Sequence, residues 1–69
     1  MITRLRVKEV AEKKGISMTK LQIRSAVAYS TIRRIFRDPY ASVSIITLNR
    51  LAKALEVNTE DLIESVPEE

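Results

Sequence analysis

Along much of this chain, apolar residues recur every three or four positions rather than every second one, the signature of short amphipathic helices. Val7, Val10 and Ala11 share a face and predict a first helix over residues 6–14, with Gly15 placed for a left-handed C-cap. Ser17 is suited to cap a second helix over residues 18–24, with Leu21 turned inward. A tight turn, Ser25-Ala26-Val27-Ala28, leads to a third helix over Tyr29–Arg37. At 100° per residue Ile32, Ile35 and Phe36 fall together, Ser30, Arg33, Arg34 and Arg37 fall opposite, and Tyr29 lies at the edge. Asp38-Pro39 ends that helix, because proline disfavours a helical residue before it and has no N–H to donate. Ser44 is the cap of a fourth helix reaching Leu55, with Ile45, Leu48, Leu51, Ala52 and Leu55 as its apolar stripe. Asn58-Thr59-Glu60-Asp61 signals a fifth helix whose apolar face is Leu62, Ile63 and Val66. Pro67-Glu68-Glu69 reads as a frayed acidic tail, and no strand pattern of comparable strength is present. The expected fold is one all-α, five-helix domain.

With 69 residues the chain has room for one small core and little apolar material to spare for a deep pocket. It has no cysteine and no histidine, which removes disulfides, thiolate metal sites and the usual neutral-pH general base. Neither a glycine-rich phosphate loop nor a spaced acid pair is present, so an enzyme is disfavoured and no cofactor or metal is expected. No apolar run is long enough for a membrane span, and the N-terminus lacks a secretion signal, so a cytoplasmic, nucleoid-associated protein of bacterial or phage type is expected. The net charge of +3 hides an asymmetry. All twelve Lys and Arg lie within residues 4–53, where they leave +9, whereas residues 54–69 carry −6. Such a partition suits one surface facing a polyanion and another facing away from it.

Residues 17–36 combine these signals. A helix fits the major groove of DNA, but an isolated one would bear its own ordering cost, so a second helix packed at a steep angle must fix its pose. The small residues Ala26 and Ala28 suit a compact corner, and Val27 can turn inward to pin it. Here the chain resembles the phage-repressor and Cro-like, or XRE-like, helix-turn-helix family. The resemblance runs from about Leu5 to Glu64: Val7 to Ser17, Leu21, Val27, Thr31-Ile32-Arg33-Arg34-Ile35, Thr47-Leu48, Leu51-Ala52-Lys53-Ala54-Leu55 and Val57 to Leu62. It implies a compact lambda-repressor-like domain in which helices 2 and 3 form the motif. Several positions depart from the family pattern. Met18 replaces a glutamine that opens helix two, Ala26 a turn glycine, and Ala28 a Ser or Thr cap. With Ala28 a poor cap, helix three starts either at Tyr29 or a turn later behind a Ser30 cap. Ala11 and Phe36 stand where many members pair an arginine with a glutamate, so a packing contact is expected to replace an ion pair.

The resemblance places Tyr29, Ser30 and Arg33 as base readers, with Arg33 the candidate for paired hydrogen bonds to guanine. Tyr29 has the alternative of folding down over Phe36, and Thr31 is read as structural. Ser17, Thr19, Lys20, Arg34, Arg37, Tyr40, Ser42 and Ser44 are phosphate candidates, which position the helix without reading sequence. Arg4 and Arg6, near the start, are read as a basic arm over residues 1–5 and its edge. Because family members often dimerise through their last helix, Ile63 and Val66 are candidate interface residues. The implied function is a sequence-specific regulator of transcription bound to double-stranded DNA as a homodimer. The alternative is an antitoxin or adaptor whose main partner is a protein, motivated by the acidic, apolar-striped C-terminal segment.

Overall fold

Helix ends organise this molecule, described over residues 1–68 in a computed structural model. Helix α1 (Val7–Lys13) stops at Gly15, whose φ of 69° lets its N–H reach the Glu12 carbonyl while Ile16 N–H reaches that of Ala11. Helix α2 (Met18–Ser25) starts behind Ser17, whose hydroxyl accepts the Lys20 N–H at 3.2 Å. Helix α3 (Tyr29–Arg37) starts at Tyr29 behind Ala28 with no side-chain cap, which decides against the later start at Ser30. Helix α4 (Ile45–Leu55) is capped by Ser44, which accepts the Thr47 N–H at 3.1 Å.

The corner between α2 and α3 is the tight turn that the sequence implies, and it is made by a left-handed residue. Ala26 adopts φ 57° and ψ 25°, the left-handed region that the family's glycine enters freely and that an L side chain resists. Ala26 N–H caps the Gln22 carbonyl at 3.0 Å. The buried Ser25 hydroxyl donates to the Leu21 carbonyl at 2.6 Å and accepts the Val27 N–H at 3.2 Å. Val27 is buried and closes the corner from inside. Glu56 makes a third left-handed helix end, at φ 58°, where Val57 N–H returns to the Ala52 carbonyl.

The expected fifth helix is corrected. Thr59–Leu62 is a single 3-10 turn, and the chain then extends as a strand. Residues Ile2–Leu5, expected as a basic arm, form strand β1, which pairs antiparallel with β2 (Ile63–Val66) in the register Ile2↔Val66 to Leu5↔Ile63. Over the described residues the fold is therefore four α-helices and a 3-10 turn with a two-stranded sheet, not all-α. Competition for hydrogen bonds explains the switch: Arg6 N–H takes the Leu62 carbonyl at 2.7 Å, and β1 offers β2 a ladder in place of another helical turn. Arg4 is half-buried, and its Nη1 donates to Glu9 at 2.6 Å and to Glu64 at 2.9 Å, tying β1 to α1 and β2. These two carboxylates raise the guanidinium's pKa above its ordinary value, chiefly through the hydrogen bond from Arg4 to Glu9. Arg4 is thus a clasp between elements rather than part of an arm.

One core lies among these elements, with Val7, Leu21, Ile32, Ile35, Leu51, Leu55 and Leu62 essentially inaccessible to solvent. Ala11 is fully buried in it and Phe36 packs against it, consistent with the apolar replacement of an ion pair. Ile45, at the start of α4, departs from the expected stripe and is 68% exposed. The frayed end expected over residues 67–69 reaches Glu69, which lies outside the described residues.

Ala26→Gly is expected to raise the unfolding free energy by about 1 kcal/mol, the left-handed penalty less the entropy cost of glycine. Ser25→Ala is expected to lower it by about 1–3 kcal/mol, since Val27 N–H would be buried without a partner. Urea unfolding followed by circular dichroism measures both, and equal midpoints for the two variants and the parent would contradict this account of the corner.

Candidate nucleic-acid interface

The outward face of α3 is built by the same periodicity that buries its other side. With Ile32 and Ile35 in the core, Tyr29, Ser30, Arg33, Arg34 and Arg37 line one shallow surface depression together with Asp38. The base-reading candidates Tyr29, Ser30 and Arg33 are thus brought together, along with two phosphate candidates. Tyr29 is 38% exposed and lines the same depression as the arginines, while Phe36 lines a neighbouring one with Leu5, Lys8 and Pro39, and Arg37 borders both.

The three arginines differ in freedom. Arg34 donates from Nη2 to the Ser42 carbonyl at 2.8 Å, which anchors the loop after α3 to that helix. Among the described residues, Arg33 and Arg37 have neither a side-chain hydrogen bond nor an ion pair, so their guanidinium donors are available to a ligand. Asp38, read from sequence only as a helix stop, borders the same depression. Its carboxylate accepts the Tyr40 N–H at 3.0 Å rather than pairing with an arginine. The Asp-Pro spacing that signals a turn carried that side chain too, as Asp often bonds an N–H two residues on.

The remaining phosphate candidates lie outside this cluster. Ser17 and Ser44 are exposed, but their hydroxyls serve as helix caps, and Ser44 also donates to Thr47 Oγ1 at 2.9 Å. What those two helix starts offer an anion is chiefly their remaining backbone N–H groups. Thr19 is exposed, Tyr40 is 52% exposed, and Ser42 is exposed with its carbonyl held by Arg34. Lys20 is placed differently: it lines a depression with Arg24, Leu55 and Glu56, on the flank of α2 that faces α4. Candidate residues Ile63 and Val66 do not share one helical stripe, because they lie three residues apart on a strand and so point to opposite faces of β2. Ile63 is 37% exposed, while Val66 is half-buried opposite Ile2.

A cationic, hydrogen-bonding helix set on a rigid corner by a second helix defines a helix-turn-helix domain. The family model of the Cro/C1-type HTH DNA-binding domain matches residues 6–68, and the chain belongs to that family. Comparison with individual curated proteins yields no match. No helix among the described residues is long and apolar enough to cross a membrane.

Arg34→Ala is expected to free the loop that joins α3 to α4. Hydrogen exchange should accelerate several-fold at the amides of residues 40–43 and stay unchanged in α4. Unchanged exchange at the loop would show that the Arg34 contact does not hold it.

Proposed function

We propose that this domain is a sequence-specific transcription regulator that lays α3 in the major groove of double-stranded DNA. The observation that carries the reading is the gathering of Tyr29, Ser30, Arg33, Arg34 and Arg37 on one exposed surface, opposite the buried Ile32 and Ile35. Arg33, at the middle of that surface and unpaired among the described residues, reads guanine through its two-pronged donor geometry. Tyr29 and Ser30 read neighbouring positions from the first turn of α3. Arg37 and Arg34 hold phosphates, with Arg34 also fixing the loop, and the starts of α2 and α4 add backbone donors near Ser17, Thr19 and Ser44. Tyr40 and Ser42, exposed on the loop, border the same backbone.

The protein acts as a homodimer whose half-sites lie about one helical turn, roughly 34 Å, apart. Ile63 is the better contact of the two candidates, being the more exposed, and Val66 cannot join it on the same face of β2. The competing reading, an antitoxin or adaptor, rests on the acidic C-terminal segment, in which Glu60 and Asp61 are exposed beside the partly exposed Ile63 in sequence.

Binding-site selection followed by affinities at several salt concentrations tests the groove assignment. Arg33→Ala is expected to lose about 1–3 kcal/mol of discrimination at one or two base pairs. Arg37→Ala is expected to weaken every sequence alike and to reduce the slope of log K against log salt by about 0.9. If both variants bind selected and random duplexes as the parent does, α3 is not the reading helix and the protein-partner reading takes its place.

A further inference from the structure

A second cationic surface lies away from α3. Lys14, Lys20, Arg24, Arg50 and Lys53, all exposed, line two depressions on the seam between α2 and α4, and the two are continuous because both include Arg24 and Glu56. Glu56 is the only acid along them, so five positive charges face one negative charge. Among the described residues, none of the five cations has an ion-pair partner within 4.0 Å. Neither depression shares a lining residue with the one on α3. Two of the molecule's other acids are held elsewhere, since Glu9 and Glu64 are engaged by Arg4.

From this arrangement we infer that the α2–α4 seam is a second phosphate-backbone site, able to hold a DNA segment other than the one gripped by α3. The inference rests on the DNA-binding reading and extends it from one duplex contact to two. The composition of the seam selects the ligand. Protein interfaces need a desolvated apolar centre, but of the apolar residues here Ala54 and Leu55 are buried in the core and Ile16 is packed against it. The exposed isoleucines Ile23 and Ile46 line neither depression. A polar, strongly positive surface without an apolar anchor matches the sugar-phosphate backbone, whose charge density rewards every cation that displaces a counterion.

Two sources of that backbone are distinguishable: the flank of the same duplex, or a second duplex. A short duplex is immobilised on beads, the full chain is added, and capture of a differently labelled duplex from solution is measured. In parallel, affinity is compared between the short duplex and one extended on both sides. The variant combines Arg50→Glu with Lys53→Glu, exposed positions that belong to neither the core nor the α3 surface, and its melting curve checks the fold. Arg50→Gln with Lys53→Gln serves as a milder pair. The parent is expected to capture the second duplex, or to gain affinity on the extended one, and the Glu pair to lose that gain roughly tenfold. Affinity for the short duplex should stay within about twofold of the parent's, since the α3 contacts are intact. Capture identifies a second duplex, and a length-dependent gain alone identifies the flank. Parent binding without capture or length dependence overturns the seam proposal while leaving the α3 reading intact. So does capture that the Glu pair leaves unchanged. Absence of any binding to the short duplex overturns both readings. Binding of a polyglutamate peptide that the Glu pair abolishes, without duplex capture, would reassign the seam to an acidic protein.

Discussion

The left-handed backbone at Ala26 is the constraint on which the orientation of α3 depends. A helix that continued beyond Ser25 would carry the chain past the core. One residue at φ 57° turns it back, so that Val27, Ile32 and Ile35 are buried against the other helices. The conformation costs about 1–2 kcal/mol for a residue with a β-carbon. Burial of each large aliphatic side chain returns about 1.5–3 kcal/mol, so the packing behind the corner outweighs the strain within it. The Ser25 hydroxyl completes the turn by engaging the Leu21 carbonyl and the Val27 N–H. The result is a stiff corner, and stiffness is what a groove-reading helix requires, because a loose helix would lose ordering entropy on binding.

The parts of this fold written in local sequence are readable there. Ser17, Ser44 and Gly15 act within a few residues of themselves, and the 3.6-residue period of α3 separates Ile32 and Ile35 from Arg33 and Arg37 without reference to any other element. The two strands are not readable, because each is four residues long and becomes a strand only through a partner sixty residues away. Asn58 to Asp61 form a sound start signal, and the Asp61 carboxylate does accept the Asn58 N–H at 3.0 Å. A start signal does not fix how far a helix runs, and this one is cut to a single turn by Arg6 N–H taking the Leu62 carbonyl. Alanine in place of glycine at position 26 disfavours the left-handed conformation that the corner adopts. Tertiary packing overrides that local preference, as it also does at Glu56.

The same division applies to the site. The face of α3 is set by angles along one helix, so its five side chains are legible in the sequence. Assigning Lys20 to the α4 flank, Arg34 to the Ser42 carbonyl and Arg4 to two carboxylates requires knowing which elements meet. Long flexible cations are the residues for which sequence position says least, since their heads travel several ångströms from the backbone that carries them.

Charge is distributed so that folding and binding make opposite demands. Arg4 spends its charge on internal ties, whereas the arginines of α3 form one cationic group and the cations of the α2–α4 seam another, each with a single acid along it. Their mutual repulsion subtracts from the stability of a small domain, and such domains have only about 5–15 kcal/mol in total. Mobile anions relieve that repulsion, so salt favours the folded chain. The same anions compete for phosphate-binding positions, so salt opposes the complex. In the proposed complex DNA acts as the counterion: a phosphate backbone laid across α3 would neutralise the charges whose proximity the free fold must tolerate. Binding and folding are then linked, because a ligand that contacts only the native corner raises its stability with the logarithm of its concentration over its dissociation constant.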